Sequence, residues 1–320
     1  MRQEKSSERS WGAQEAERYR RSRHGPDGKL FLDPFITAFL VQSKGQGPML
    51  DVGTGAAAVP IEAVKDHGVE LVHGIDNSSA MITMAEKSIT EAGLQERIIV
   101  RLADARSLPY GSSEFRRVAS VNVACNLDPE TLAAHLREMA RIVTPDGQIL
   151  FAVPINLMNI FSNGDTGVLR KRLISSLAAI KKESAIAGDI SQESIQNHLG
   201  GMEELHRGTF IVRSGHLQLV AHNSGKIQSL ATAQDVAEGT LIWRKLPGLV
   251  VPNIYHAQSI YEKEIREAGL QIVSSSVGNF ATEADRNEYN AGVSEGQPGN
   301  KLGAEYIGKG PFAVYILAKT

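Results

Sequence analysis

Cysteine is almost absent from this sequence, which contains only Cys125 among 320 residues. One thiol cannot form an intrachain disulfide, and it cannot supply the several thiolates of a structural zinc site. Cys125 follows an apolar stretch with the character of a strand, where a buried structural thiol is the ordinary case. We therefore expect neither a disulfide framework nor a metal site.

Charge of one sign and long apolar runs are also scarce. The 34 Lys and Arg nearly balance the 36 Asp and Glu, and the formal net charge is -2. Because proteins that bind nucleic acid usually present a strongly basic surface, we expect no nucleic-acid partner. No apolar run reaches the roughly 20 residues of a membrane span, and the amino terminus is polar. We therefore expect no stable membrane insertion and a cytoplasmic location.

The remaining composition is that of an ordinary globular protein, with 42% hydrophobic and 22% charged residues. A chain of 320 residues predicts one elaborated domain or two. Between Phe35 and Pro154, apolar strands alternate with helical segments, which predicts a parallel sheet with crossover helices. The alternation stops after Pro154 and resumes near Ala257, so about 100 residues are inserted.

The strand at residues 48–52 runs into Gly53 and Gly55. Because neither glycine carries a Cβ, a ligand can approach this turn closely. Asp51 places a carboxylate beside the turn, which disfavours a phosphate and favours a cation. S-adenosylmethionine (SAM) carries an ammonium and a sulfonium and fits this sign. With Ala58, the spacing also satisfies the dinucleotide fingerprint, so a nicotinamide cofactor stays open at this point.

Two further predicted strands end in an acid. Asp76 follows the apolar residues 71–75, and Asp104 follows residues 98–103. Ligands of parallel sheets bind beyond the carboxyl ends of the strands, so Asp51, Asp76 and Asp104 should converge on one crevice.

This series resembles the class I SAM-dependent methyltransferase family, most closely its ubiquinone- and menaquinone-biosynthesis branch. Four elements carry the resemblance: Asp51-x-Gly53-x-Gly55, Asp76 followed by Asn77-Ser78-Ser79-Ala80-Met81, Asp104-Ala105 before Leu108-Pro109, and Pro145-Asp146-Gly147. The family usually has a third glycine where this chain has Ala57. We expect this small residue to be tolerated, because alanine favours the following helix.

The resemblance implies an α/β, Rossmann-like class I methyltransferase fold. Its sheet should be mostly parallel and seven-stranded, with an antiparallel last strand. We divide the chain into an N-terminal helical cap (1–34), a SAM-binding core (35–154 and 257–320) and a large α+β insert after strand 5 (155–256) that binds substrate. A glycine-rich excursion of the chain at 279–310 would lie over the edge of the ligand crevice or simply be exposed at the surface.

The resemblance also implies the cofactor contacts. Asp76 should accept hydrogen bonds from the ribose hydroxyls, and Asp104 one from the adenine amino group. Tyr19 is a candidate to close the pocket, with plain packing of its helix as the alternative. The other expected cofactor-binding residues are Asp51, Gly53, Thr54, Gly55, Asn77, Met81, Ala105 and Asn122.

In the insert, residues 169–182 have helical spacing, and residues 209–212 and 216–221 predict a hairpin. Residues 240–243 can complete a small sheet. Asn156 and Trp243 are our candidates for substrate binding.

Methyl transfer from a sulfonium is an in-line displacement, for which proximity contributes up to about 7–11 kcal/mol. A base is needed only for an acceptor that holds its proton at neutral pH. We rank His256 and Tyr255 first, because the insert rejoins the core there. The other candidates near the rim are His24, Asp165, His206, His216 and His222.

Residues 121–124, Val-Asn-Val-Ala, lack the prolines and the aromatic residue of the nucleobase amino-methyltransferases. They also lack the glutamates of the protein-arginine branch. We therefore expect a SAM-dependent methyltransferase acting on a small-molecule acceptor, which is natural-product, quinone-like or lipid-like. The alternatives are a SAM-binding regulatory or scaffolding subunit and a nicotinamide-dependent reductase. The sequence leaves a homo-oligomer open.

Overall fold

A computed structural model describes residues 12–22, 32–154, 161–162, 166–187, 190–202, 205–213, 216–220, 236–246, 249–277 and 312–320. The chain divides into two compact units. We call residues 1–154 with 258–320 the core unit, and residues 155–257 the insert.

The strands, in chain order, are β1 (Met49–Val52), β2 (Val72–Asp76), β3 (Ile98–Leu102), β4 (Phe115–Val121), β5 (Val143–Pro154), β6 (Phe161–Ser162), β7 (Leu205–Arg213), β8 (His216–Val220), β9 (Leu241–Leu246), β10 (Leu249–Ile254), β11 (Leu270–Val277) and β12 (Phe312–Lys319). The helices are α1 (Ala13–Ser22), α2 (Pro34–Val41), α3 (Ala58–Lys65), α4 (Ser79–Ala92), α5 (Pro129–Ile142), α6 (Thr166–Ala187), α7 (Gln192–Ile195) and α8 (Gln258–Glu267).

The core unit is built on a seven-stranded sheet with the order β11-β12-β5-β4-β1-β2-β3. The pairings among β1 to β5 are parallel. Strand β12 is antiparallel to both of its neighbours, β5 and β11. This topology confirms the predicted fold class, including the antiparallel last strand.

Burial explains why the central strands are apolar. All four residues of β1 are buried, and one hydrophobic cluster joins Met49 of this strand to α2 and α3. From α2 this cluster takes Ile36, Phe39 and Leu40, which are at most 3% exposed. Parallel sheets covered on both faces need near-continuous apolar strands, and each buried large side chain contributes about 1.5–3 kcal/mol.

Local capping places the helices that follow β2 and β4. The Ser78 hydroxyl accepts a hydrogen bond from the Met81 N–H at 3.2 Å and begins α4. The Asp128 carboxylate accepts one from the Thr131 N–H at 2.8 Å and begins α5, with Pro129 at its first position. Each cap contributes about 1 kcal/mol.

Strand β5 begins at Val143 and therefore includes Pro145-Asp146-Gly147, one of the elements that carry the family resemblance. Residues 144–147 form an irregularity within the strand. Pairing with β4 passes from Phe115–Val143 directly to Arg117–Gln148 across it. Asp146 in this segment forms an ion pair with Arg116. The strand therefore continues on both sides of this irregularity.

The insert contains a five-stranded sheet with the order β10-β9-β7-β6, and β8 pairs with β7. The antiparallel pairing of β7 with β8 confirms the predicted hairpin, and β9 adds to β7 as expected. Strand β10 was not predicted, because Pro252 argues against a central strand. It lies at the edge of the sheet, where a proline is tolerated.

The two faces of the insert sheet carry separate apolar clusters. One contains Phe210, Trp243 and Val250 together with residues of α6 and α7. The other contains Ile211 and Ile242. This alternation follows from the two-residue period of a strand.

In the part of the chain that the structure describes, no helix is both long and apolar enough to cross a membrane. The predicted excursion at 279–310 lies outside the described residues, as do Asn156, His24, Asp165 and His222.

Candidate functional site

The three predicted acids lie at one edge of the core sheet. Asp51 is the third residue of β1, and Asp76 ends the neighbouring β2. Asp104 follows β3, and the Ala103 N–H just before it donates to the Asp76 carbonyl at 2.9 Å. Because β1, β2 and β3 are parallel neighbours, their carboxyl ends form a single edge.

The turn after β1 uses both of its glycines in the left-handed region, with φ of +72° at Gly53 and +54° at Gly55. A Cβ on Gly53 would lie 2.3 Å from Cγ2 of Val123, so no other residue fits there. A Cβ on Gly55 would lie 3.6 Å from the Tyr19 ring, which places this predicted residue of α1 beside the glycine turn. The Thr54 N–H donates to the Ile75 carbonyl at 2.8 Å and ties the turn to β2.

Asp76 fastens the same turn from the other side. One carboxylate oxygen accepts a hydrogen bond from the Gly55 N–H at 3.0 Å, and the other accepts one from the Ser78 N–H at 3.0 Å. Burial raises the pKa of Asp76, and backbone hydrogen bonds, including one from Asn77, oppose this shift. A carboxylate has about four lone-pair sites, so Asp76 keeps acceptor capacity for a ligand hydroxyl.

Asp51 is a buried acid, with 3% of its surface exposed. Burial raises the pKa of the Asp51 carboxyl to about 7; a contact with Thr54 opposes the shift, and the nearby Asp76 carboxylate adds to it. No ion pair joins Asp51 to a cation within the described residues. A buried carboxylate is stable when a positive charge accompanies it, so this position is suited to a cationic group.

Asn122 follows β4 and combines an unusual backbone with an unsatisfied side chain. Its φ is +60°, in the left-handed region that few non-glycine residues adopt. Its Oδ1 is buried and has no hydrogen-bond partner in the described part of the chain. Residues held in strained conformations cluster at ligand sites, and an orphaned buried acceptor costs about 1–3 kcal/mol unless a ligand satisfies it.

Asp104 is engaged by Arg106 in the turn after β3. The Arg106 N–H donates to Oδ1 at 2.8 Å, and the guanidinium donates to Oδ2 from Nε at 2.8 Å and from Nη2 at 2.5 Å. These hydrogen bonds hold the pKa of Asp104 below its usual range. Three donors occupy about four lone-pair sites, which leaves capacity for one ligand N–H.

Ala57 has a different role from the one we expected. It lies immediately before α3 in the left-handed region, with φ of +64°, and is fully buried. Its helix propensity is therefore not what matters, because the position needs a residue that tolerates positive φ. This conformation explains why the resembling family has glycine here.

The other predicted cofactor residues differ in exposure. Thr54 and Met81 are buried, at 6% and 2%, Ala105 is half-buried, and Asn77 is exposed.

Sequence reasoning missed two residues that shape this edge. A Cβ on Gly74 would lie 2.7 Å from the Thr54 hydroxyl, so β2 needs glycine opposite the turn. His135 of α5 is fully buried between β4 and the segment after β3. A glycine within an apolar strand can signal close approach, whereas His135 has no comparable signal.

Within the insert, His256 is 2% exposed and contacts the Glu238 carboxylate through Nδ1. The other Glu238 oxygen accepts the Ala257 N–H at 2.8 Å. Because a carboxylate can only accept, Nδ1 carries the proton. Tyr255 is half-buried, and both burial and Glu238 raise its pKa. Trp243 is 6% exposed and packs in the insert's own apolar cluster.

Comparison with known proteins identifies part of the core unit. Residues 49–147 match a family model described as a methyltransferase domain. Methyltransferase GfsG of Streptomyces halstedii is 29% identical over 104 residues, which are 32% of this chain and 36% of that protein. Norajmaline N-methyltransferase of Rauvolfia serpentina is 28% identical over 108 residues, 34% of this chain and 36% of that protein. The chain thus spans about a third of the length of these two relatives.

Among solved structures, the CcbJ methyltransferase of Streptomyces caelestis is 14% identical, with a TM-score of 0.49 over 90% of each chain.

Proposed function

We propose that this chain, which carries a class I SAM-dependent methyltransferase domain at residues 49–147, transfers the methyl group of SAM to a small-molecule acceptor. The observation that carries the proposal is Asp51, a buried carboxyl without a cationic partner in the described residues, placed beside a glycine turn. The ammonium of SAM supplies the missing charge. Bound SAM would supply a methyl group on a sulfonium, which in-line displacement moves to the acceptor.

The other contacts divide the cofactor among three strand ends. Asp76 would accept the ribose hydroxyls while it holds the glycine turn by its backbone. Asp104 would accept the adenine amino group through its remaining acceptor site. Asn122 would use its buried Oδ1 to accept an N–H from the amino-acid part. At these strand ends the protein thus presents carboxylate and amide oxygens to the O–H and N–H donors of the cofactor. A phosphate site would instead present N–H donors to an anion.

We assign acceptor recognition to the insert. Strand β5 runs parallel to β4, so it ends at the edge where Asp51 and Asp76 lie, and the insert begins directly after Pro154. A relative named for the N-methylation of norajmaline supports a small molecule as the acceptor. Within the insert, Trp243 and Asn156 remain our candidates for substrate contacts.

For an acceptor that must lose a proton, His256 would be the base. The Glu238 carboxylate accepts from Nδ1–H, and in this tautomer Nε2 carries the lone pair of the ring. Tyr255 is the second candidate, although its raised pKa keeps the phenol protonated at neutral pH.

Calorimetric titration tests the cofactor assignment. We expect S-adenosylhomocysteine and SAM to bind and NADH not to bind. Binding of NADH without a response to S-adenosylhomocysteine would refute the proposal.

Transfer is tested with methyl-labelled SAM and a metabolite extract. We expect label to appear in a small molecule and not in protein or nucleic acid. Tight cofactor binding without any labelled product across several extracts would instead support a regulatory subunit. In that case His256→Ala would also change only the stability of the protein and leave cofactor binding unchanged.

A further inference from the structure

One face of α5 holds the segment that follows β3. Its polar residues His135, Glu138 and Arg141 are spaced three apart, so they line one side of the helix. His135 Nδ1 lies 3.4 Å from the Ala105 carbonyl oxygen. Glu138 accepts the Leu108 N–H at 2.7 Å, and Arg141 donates to the Leu108 carbonyl at 3.1 Å. The segment is therefore fixed by a helix rather than by a strand ladder.

His135 makes a second contact, with β4. A backbone carbonyl can only accept, so Nδ1 carries the proton and donates to Ala105. Nε2 is then an acceptor, and the Ser120 hydroxyl donates to it at 3.0 Å. His135 is 0% exposed and Ser120 is 1% exposed, so water cannot replace either partner. One imidazole thus connects the segment after β3 to β4, the strand that precedes Asn122.

The ring stays neutral under ordinary conditions. Burial lowers the pKa of His135 to about 4, although the Ala105 carbonyl and the Asp104 carboxylate oppose the shift. The single-proton form that can donate at one nitrogen and accept at the other is therefore maintained at neutral pH.

We propose that His135 is a positioning residue that sets cofactor base specificity, because it holds Ala105 and thereby the adjacent Asp104 carboxylate where an adenine amino group can donate to it. The inference rests on the proposed function. Arg106 occupies most of the acceptor sites of Asp104 and leaves about one, so the orientation of this carboxylate must be closely controlled. Hydrogen bonds weaken steeply with misalignment. Loss of the hydrogen bond from His135 to Ala105 would therefore weaken specifically the hydrogen bond between the adenine amino group and Asp104.

The test compares two probes, S-adenosylhomocysteine and its inosine counterpart, in which an oxo group replaces the 6-amino group. We expect the wild-type protein to prefer the adenosine compound by at least roughly tenfold, as for a hydrogen bond to a charged acceptor. His135→Leu should reduce this preference to below about threefold. The loss should come from weaker binding of the adenosine compound, with the inosine compound nearly unchanged.

A matched control separates positioning from general destabilisation. Leu136 is the next residue of α5, is fully buried, and belongs to the apolar side of the helix. Leu136→Ala should lower the melting temperature and leave the probe preference as in the wild type. Ser120→Ala removes the donor to Nε2 with little change in volume, and it should reduce the preference partially even if His135→Leu does not fold.

The outcomes separate the two proposals. A wild-type protein that binds neither probe overturns the proposed function and this inference with it. Wild-type binding with an unchanged preference in Ser120→Ala and in folded His135→Leu overturns only the positioning role. Equal loss of preference in Leu136→Ala also overturns it, because destabilisation alone would then explain the effect.

Discussion

Ionisation of Asp51 should lower the stability of the folded protein and strengthen cofactor binding. Its pKa of about 7 in the folded protein exceeds the ordinary carboxyl value of 3.8. The folded state therefore binds a proton more strongly than the unfolded state. This contribution to stability is fully present below about pH 4 and is lost as the pH rises through 7. Asp51→Asn should remove the loss and raise the free energy of unfolding at pH 8 by up to about 4 kcal/mol.

Cofactor binding should change in the reverse direction. A cationic ligand binds the ionised carboxylate, whose fraction rises from about 3% at pH 5.5 to about 50% at pH 7. The dissociation constant for SAM should therefore fall roughly 15-fold over this range, while the ligand ammonium stays protonated. Asp51→Asn should bind more weakly at pH 7, and its profile should be much flatter.

Two measurements check this reasoning. Urea unfolding at pH 5.5 and pH 8 gives the stability of both proteins. Calorimetry in two buffers of different ionisation enthalpy reports the proton released when SAM binds near pH 6.5. If Asp51→Asn is less stable at pH 8, or if its binding profile matches that of the wild type, Asp51 does not provide the charge for the ligand.

Substitutions at three further positions test other parts of the site. Asp76→Ala should weaken S-adenosylhomocysteine binding roughly ten- to hundredfold. Asp76→Asn keeps an acceptor for the glycine turn and should lose less affinity. If calorimetry gave Asp76→Ala the same Kd as the wild type, a ribose contact would be contradicted. Gly74→Ala should destabilise the core by about 1–3 kcal/mol in urea unfolding, because its Cβ would lie 2.7 Å from a threonine hydroxyl; an unchanged midpoint would mean that β2 shifts freely. Ala57→Gly should relieve about 1–2 kcal/mol of left-handed strain. Against this, it loses a buried methyl group that contributes about 0.8 kcal/mol and raises the entropy of the unfolded chain by about 0.5–1 kcal/mol. The free energy of unfolding should therefore stay within about 1 kcal/mol of the wild type.

For the insert, His256→Ala should lower turnover while the Kd for S-adenosylhomocysteine stays the same, and Glu238→Gln should do so more mildly. Normal turnover in both variants would leave proximity alone as the mechanism. A lost response to the cofactor would place this segment in the cofactor site.

The sequence was most informative where backbone requirements are strict. Gly53 and Gly55 predict a turn that a ligand can approach closely, and both glycines adopt a positive φ there. The acids at strand ends predict one edge, because parallel strands allow no other arrangement. Such features are local or follow from chain order, and a parallel sheet with its ligand edge could be predicted from them. The number of strands and the antiparallel last strand were implied by the family resemblance.

Features that depend on tertiary packing were less accessible. Nothing near Asp104 in the sequence indicates that His135, about 30 positions later, fixes the segment beside it. The left-handed conformation of Ala57 was hidden because alanine has a strong helix propensity. Strand β10 was missed because a proline is informative only when the edge of the sheet is known.

The position of β12 in the sheet has a consequence for synthesis. This strand lies between β5 and β11, and it pairs with residues about 160 positions earlier, such as Tyr315 with Phe151. During translation β5 must therefore wait with an unpaired edge while the whole insert is made. Since domains form in order as the chain emerges, the insert can acquire its own clusters first. The core sheet then closes in a late step of high contact order, which is intrinsically slow. Nascent chains that pause before residue 312 should consequently depend on chaperones that shield strand edges.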